Sequence, residues 1–226
     1  MGLDFDGVDD VAEHGDIAGI DSGAALTGMC WVNLDAIVDR DGVLNKGLLG
    51  STTSFYMRVA VTTNAIRVAF GGAQTPGGLT GNILTTGVWA HWAFVYDGGG
   101  VANADRLKIY FNGTDQSLTF AGTIPATMND SGTGLVRVGR DSEEQNTVDG
   151  KIALVKVWTA VLTAAEVFQE LNSYRPTRTA NLVLWSPYDD GTSARDYSGA
   201  GNHGTVTGAL QFEGPPVGFG SPILVG

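Results

Sequence analysis

The strongest constraint on this chain's architecture is its train of short apolar runs, each soon broken by Gly, Asn or Asp. The runs are Ala25–Asn33, Gly42–Lys46, Ser54–Thr62, Ala65–Phe70, Trp89–Asp97, Asp105–Phe111, Leu135–Arg140, Gly150–Trp158 and Asn181–Trp185. Several alternate with period two. Between Trp89 and Tyr96, one face carries Trp89, His91, Ala93 and Val95, and the other Ala90, Trp92, Phe94 and Tyr96. Leu107, Ile109 and Phe111 likewise face away from Lys108 and Tyr110. Such alternation predicts half-buried antiparallel strands, and many short strands with frequent turns predict an all-β sandwich or barrel. With 33 glycines to serve tight turns in 226 residues, one β domain accounts for the length.

The punctuation is specific in places. Asn112-Gly113 predicts a tight hairpin, because both residues tolerate positive φ. Asp97-Gly-Gly-Gly100 predicts a turn. Only one segment reads as helical, near 163–172. Thr163 is its N-cap and Glu166 stands three residues later, the spacing of a capping box, with Leu162, Val167 and Leu171 toward the core. A linker follows at 173–180, then a strand-bearing closing segment at 181–213. A Gly/Pro-rich tail over 214–226 is expected to be extended. Residues 1–213 therefore read as a single domain.

The formal net charge of −11 comes with no basic run. Nucleic acid, whose binding needs cations to displace phosphate counterions, is disfavoured, as is an anionic membrane surface. The acidic excess suits solubility or a hard cation. Cys30 is the one cysteine and reads as a small buried apolar residue. The opening Met-Gly-Leu-Asp-Phe-Asp shows no signal peptide, and no run reaches membrane-spanning length.

Several passages, in order, resemble the LamG-like jelly-roll domains of the concanavalin A-like lectin and glucanase superfamily. They are Leu3-Asp-Phe5-Asp6-Gly7-Val-Asp9-Asp10-Val11, Trp31-Val32, Val43-Leu-Asn-Lys46-Gly47, Trp89-Ala-His91-Trp-Ala-Phe-Val-Tyr96-Asp97-Gly98, Ile109-Tyr-Phe-Asn112-Gly113, Val138-Gly139-Arg140, Asp149-Gly150-Lys151-Ile152 through Trp158, and Leu162-Thr-Ala-Ala-Glu166-Val. The segment Asp196-Tyr-Ser-Gly-Ala-Gly-Asn202-His203-Gly204 resembles a signature that usually lies near the start of such domains; here it comes last. The resemblance implies a two-sheet antiparallel jelly-roll sandwich with rotated motif order, closed by its own C-terminal third or by that of a neighbouring subunit.

It also implies a structural Ca²⁺. Asp196 and Asp149 lead the candidates, with backbone help from Gly201 and His203, and with Asn202, Asp6 and Asp9 as further oxygen donors. The competing reading is that these Asp and Asn side chains only satisfy turn backbone groups. Ala153 and Leu154 stand where the family commonly has acidic residues, which weakens a site on that strand. Among the aromatics, the tryptophans in predicted strands are assigned to the core, and Trp92 and Tyr188 are the candidates for stacking on a sugar. His91 is expected to hydrogen-bond across its sheet, and His203 to serve the signature loop.

Glycosidases on this scaffold need a carboxylate pair across the scissile bond. Glu143-Glu144 is the nearest acidic pair, and consecutive strand residues point apart, so the expectation is a non-catalytic protein. The resemblance leaves two settings open for such a protein and, as a third alternative, an enzyme of the glycoside hydrolase or polysaccharide lyase class. The first is the surface of a virion, as a phage capsid-decoration or fibre-associated protein with homo-oligomer or capsid partners. The second is a carbohydrate-binding or adhesion module that recognises cell-surface glycans outside a bacterium.

Overall fold

In the computed structural model, residues 1–47, 53–60, 63–71, 75–142, 144–190 and 193–217 are described. The first half holds β1 (Gly2–Asp6), β2 (Val11–His14), β3 (Ala25–Leu34), β4 (Gly42–Gly47), β5 (Thr53–Ala60), β6 (Ala65–Ala69), β7 (Gly77–Leu79) and β8 (Ala90–Asp97). After them come α1 (Asn103–Arg106), β9 (Leu107–Phe111), β10 (Thr114–Asp115), β11 (Thr119–Ala121), β12 (Leu135–Val138) and β13 (Asp149–Trp158). The chain continues through α2 (Ala164–Leu171), β14 (Leu182–Ser186), β15 (Ser193–Ala194), β16 (Gly204–Thr207) and β17 (Leu210–Phe212).

Two antiparallel sheets result. The first runs β10-β9-β8-β3-β13-β1-β17, with β14 also paired to β13; the second runs β11-β7-β6-β5-β4-β12-β2-β16-β15. The closing strands enter both sheets of their own chain: β17 pairs with β1, β14 with β13, and β16 with β2.

The alternation read from the sequence maps onto two layers of packing. Ala90, Trp92, Phe94 and Tyr96 point between the sheets, as do Leu107 and Ile109, into one cluster with Leu26, Cys30, Phe55 and Met57. Ala93, Val95 and Tyr110 point out of the sandwich. The expectation of half-buried strands fails for β8, which is buried along almost its whole length. The reason is α2, whose Val167 packs with Met29, Ala93 and Trp158 over the outer face of the first sheet. Cys30 is fully buried, and burial raises its thiol pKa.

The helix starts where its cap predicts. Thr163 Oγ1 accepts from Glu166 N at 3.2 Å, and Glu166 Oε2 accepts from Thr163 N at 2.8 Å, a reciprocal cap of a kind whose loss costs about 1 kcal/mol. A buried ion pair ties the helix to the sheet: Lys156 Nζ donates to Glu170 Oε2 at 2.7 Å. The expectation of a single helical segment is corrected by α1 and by a 3-10 turn at Ala18–Ile20. Asp105 and Arg106, read as strand, instead close α1, where Asp105 Oδ2 accepts from Ala102 N at 2.9 Å.

Asn112 (φ 49°) and Gly113 (φ 78°) form the β9–β10 hairpin, whose twist matches the strands that it joins. Gly139 is required for a different reason. Its φ is +85°, and an added Cβ would lie 2.1 Å from the Phe5 ring, so only glycine lets that ring fill the core. Among the described residues, no helix is long and apolar enough to cross a membrane. Most of the predicted extended tail lies outside the described residues.

Candidate functional site

Two clefts gather side chains that the packing leaves available. The first is aromatic, has a volume of about 290 Å³, and is lined by Tyr174, Arg175, Trp185, Pro187, Asp189 and Tyr197. The Trp185 ring meets Tyr197 at 5.7 Å and Tyr174 at 6.2 Å between centroids. Asp189 bridges the two phenols: Tyr197 donates to its Oδ1 at 3.1 Å and Tyr174 to its Oδ2 at 3.4 Å. Burial first, then the Asp189 charge, pushes Tyr174 up to about 12; burial and then the hydrogen bond to Asp189 raise Tyr197. Both phenols therefore stay protonated and keep donating at neutral pH. The Arg195 guanidinium lies over the Tyr197 ring at 5.0 Å.

The local chain path explains this convergence. Asp196 Oδ1 accepts from Trp185 N at 3.0 Å, while Tyr197 N donates to Trp185 O at 2.8 Å. The signature loop is thereby clipped to β14, which sets Tyr197 beside Trp185. On the opposite side, Lys156 Nζ donates to Ser173 O at 2.8 Å, and Glu170 Oε1 accepts from Thr177 N at 2.7 Å and Arg178 N at 2.9 Å. These bonds hold the segment that carries Tyr174.

The second cleft is acidic, about 450 Å³, and lined by Asp4, Phe5, Asp6, Asp10, Asp35, Asp149, Gly208 and Leu210. The β1–β13 register sets Asp6 directly opposite Asp149. Oxygens of Asp6, Asp9 and Asp10 lie within 4.8 Å of one another. Asp6 N donates to Asp10 Oδ2 at 2.9 Å, and Val8 N to Asp6 Oδ1 at 2.9 Å. Lys151 Nζ neutralises part of the cleft, reaching Asp35 at 2.5 Å and Asp4 at 3.5 Å. Burial raises the Asp10 pKa, and the charges of Asp6, Asp9 and Asp4 add to the shift. Nearby, burial and then the Asp149 charge push Asp41 up to about 7. Crowded carboxylates whose protonation is favoured by mutual repulsion are the donor chemistry that fits a hard divalent cation.

The expected calcium set is thus divided. Asp6 and Asp149 line one cleft together with Asp10, which the sequence reading missed although it follows Asp9 in the opening motif, and Asp9 brings an oxygen within 4.8 Å of those of Asp6 and Asp10. The signature loop does not join them, and its assignment as ligand is corrected. Asp196 spends both oxygens on its own loop and on β14, accepting from Trp185 N, Ser198 N, Ser198 Oγ and Asn202 N. Asn202 Nδ2 donates to Val183 O at 2.7 Å. His203 Nδ1 accepts from Asp196 N at 3.1 Å, as a loop-building histidine should, and Gly201 supplies a φ of +79°. This loop meets the His14 end of β2, whereas Asp10 lies just before its Val11 end.

Both expected sugar platforms are also corrected. Trp92 and Tyr188 are each 1% exposed. Trp92 faces the core because it shares a strand face with Phe94 and Tyr96. Tyr188 packs in the same cluster, with its hydroxyl 3.3 Å from His14 Nε2. Burial lowers His14 to about 4, so the neutral ring donates from Nδ1 to Asn202 O and accepts the Tyr188 hydroxyl. Trp185, assigned to the core with the other tryptophans, instead lines the aromatic cleft. His91 departs from expectation too: its Nδ1 is buried without a hydrogen-bond partner among the described residues, and the ring packs edge-on against Trp31 at 5.6 Å. Of the Glu143-Glu144 pair, Glu143 lies outside the described residues; Glu144 Oε1 pairs with Arg137 at 3.2 Å.

The fold defines a lectin-like β-sandwich, and the sequence places it in a family. A laminin-G family model of the concanavalin A-like lectin/glucanases superfamily matches residues 6–168, and the chain belongs to that superfamily. A search of curated proteins finds no match. Among solved structures, the chain is similar to a candidate carbohydrate binding protein from Bacteroides ovatus, with a TM-score of 0.67 and 17% identity, over 97% of this chain and 61% of that one. The chain therefore spans about three fifths of that relative's length. It is also similar to the sialidase carbohydrate-binding module CBM40 of Ruminococcus gnavus bound to α2,3-sialyllactose (TM-score 0.55, 11% identity, 75% of this chain and 97% of that one). A heptameric pentraxin from Limulus polyphemus aligns over 74% of this chain and 79% of its own, with a TM-score of 0.52 and 17% identity.

Proposed function

We propose that this protein is a non-catalytic glycan-binding module that grips a sugar ring in the cleft of Tyr174, Trp185 and Tyr197. The observation that carries the reading is the meeting of three aromatic rings around one carboxylate. An aromatic face takes the apolar C–H face of a pyranose, and Asp189 is an acceptor for its hydroxyls. The cleft volume of about 290 Å³ is at the lower edge of small-molecule sites, roughly 300–1,000 Å³, and suits one sugar residue. The Bacteroides and Ruminococcus relatives, named for carbohydrate binding, support the same class. In this reading Ca²⁺ is structural, held by Asp6, Asp9 and Asp10, and the setting is extracellular or cell-surface. The comparisons lend no support to a virion setting or a capsid partner.

A glycan array followed by calorimetric titration of the best binder tests the proposal. Tyr197→Ala removes one wall without opening the core and should weaken binding about tenfold or more, equivalent to roughly 1.4 kcal/mol. Trp185→Ala should do the same. Unchanged affinity in both variants would refute it.

A further inference from the structure

We propose, resting on the sugar-binding reading of the aromatic cleft, that Asp189 sets the ligand class of that cleft: it admits a sugar residue with neighbouring free hydroxyls and turns away one that carries a carboxylate or a sulfate. Asp189 stands among the rings as a charge that no lysine or arginine pairs with among the described residues. Its bonds there are to the two phenols, Tyr197 donating to Oδ1 at 3.1 Å and Tyr174 to Oδ2 at 3.4 Å. A carboxylate offers about four lone-pair positions over its two oxygens, so each oxygen of Asp189 can accept a further hydrogen. Each phenol has given its own hydrogen to Asp189, and can only accept from a further partner. The polar groups between the rings therefore call for hydrogens. Neighbouring sugar hydroxyls supply two, one to each carboxylate oxygen, in bonds that the charge strengthens. A sugar carboxylate or sulfate has none to give there, and it would set a second negative charge beside the first. At contact distance and out of bulk water, that repulsion is worth more than about tenfold in affinity.

Two arginines come near and do not reverse this. Arg175 lines the cleft, and Arg195 lies over the Tyr197 ring. Burial is the largest cause raising both phenols and Asp189 the next; Arg175 lowers Tyr174, and Arg195 lowers Tyr197, by less than Asp189 raises them. The neighbouring Asp190 also raises Tyr197, while accepting from Ser193 N at 3.0 Å and Ser193 Oγ at 2.6 Å. The field between the rings is that of the Asp189 carboxylate, and it disfavours an anion.

The test starts from an array of neutral oligosaccharides, among them cellohexaose, laminarihexaose and mannohexaose, and acidic ones, among them tetragalacturonate, α2,3-sialyllactose and a heparin tetrasaccharide. The tightest neutral binder is then titrated beside the same oligosaccharide after oxidation of its primary hydroxyls to carboxylates, at constant ionic strength. The neutral member should bind wild type at least tenfold more tightly. Asp189→Asn keeps the size of the side chain and removes its charge; it should weaken the neutral member and strengthen the acidic one, so that their affinity ratio falls about tenfold. A side chain that only held the phenols in place would lower both affinities together. Asp189 is exposed, and circular dichroism with an unchanged melting temperature shows that the variant is folded. Array binders that are all acidic, an oxidised member that binds as tightly as its neutral parent, or a ratio unchanged in Asp189→Asn would overturn the proposal and leave the sugar site standing. An array without binders, or binding that Tyr197→Ala does not weaken, would refute the sugar site itself and this selectivity with it.

Discussion

Replacing Glu170 with Ala should unfold the outer layer that organises the aromatic cleft. The Lys156 and Glu170 side chains are 1% and 0% exposed. Beyond its 2.7 Å bond to Glu170 Oε2, the ammonium is held by the carbonyls of Glu170 and Ser173. The other carboxylate oxygen collects Thr177 N, Thr177 Oγ1 and Arg178 N at 2.6–2.9 Å. Removing the carboxylate strands a buried ammonium and releases two backbone N–H groups. Breaking such a pair from one side costs about 3–5 kcal/mol. For a domain of this size, that lowers the melting temperature by on the order of 10 °C. Replacing both partners with apolar groups, Lys156→Met with Glu170→Leu, removes the stranded charge and should cost much less. Urea unfolding with an unchanged m-value reads the difference. The Glu170→Ala variant should also lose sugar affinity, because Ser173 and Thr177 flank Tyr174. A loss under 1 kcal/mol for Glu170→Ala, or an equal loss for the double variant, would refute the reasoning.

Two further predictions concern protons and calcium. His14 is lowered to about 4 and His91 to about 3, both chiefly by burial. As pH falls from about 6.5 toward 4 the unfolded chain takes up protons that the folded chain refuses, so stability falls with acidification; His14 alone accounts for about 3 kcal/mol. Urea midpoints measured between pH 7 and 4 should show this decline, and a flat profile would refute it. Calcium added to chelator-treated protein should raise the melting temperature, with a gain of about 2.7 kcal/mol at a hundredfold excess over Kd. Asp6→Asn with Asp10→Asn should abolish that rise, and a wild-type protein indifferent to calcium would remove the structural-ion reading.

Legibility from the sequence followed the range of the interaction. Strands β3, β4, β8 and β13 were readable because period-two alternation marks the two faces of any strand. The α2 start was readable because a capping box closes within four residues. The short strands β15, β16 and β17 were not, since they carry little alternation, and β16 and β17 join the sheets only through distant β2 and β1. The Asp6–Asp149 cleft was half legible, through motifs that each lie on one strand but meet only by register.

The aromatic cleft shows where sequence reading stops. Trp185 and Tyr188 lie three residues apart, and the sequence reading put Trp185 in the core and kept Tyr188 as a candidate for stacking. The fold reverses this, sending Tyr188 inward to His14 while clipping Tyr197 against Trp185 through Asp196. The sequence by itself determined the β-sandwich and the helix start, because these rest on periodicity and local hydrogen bonds, and the family through the resemblance of its ordered motifs. Which rings and carboxylates remain available to a ligand was decided only by tertiary structure, because availability depends on what packs on the far side of each strand.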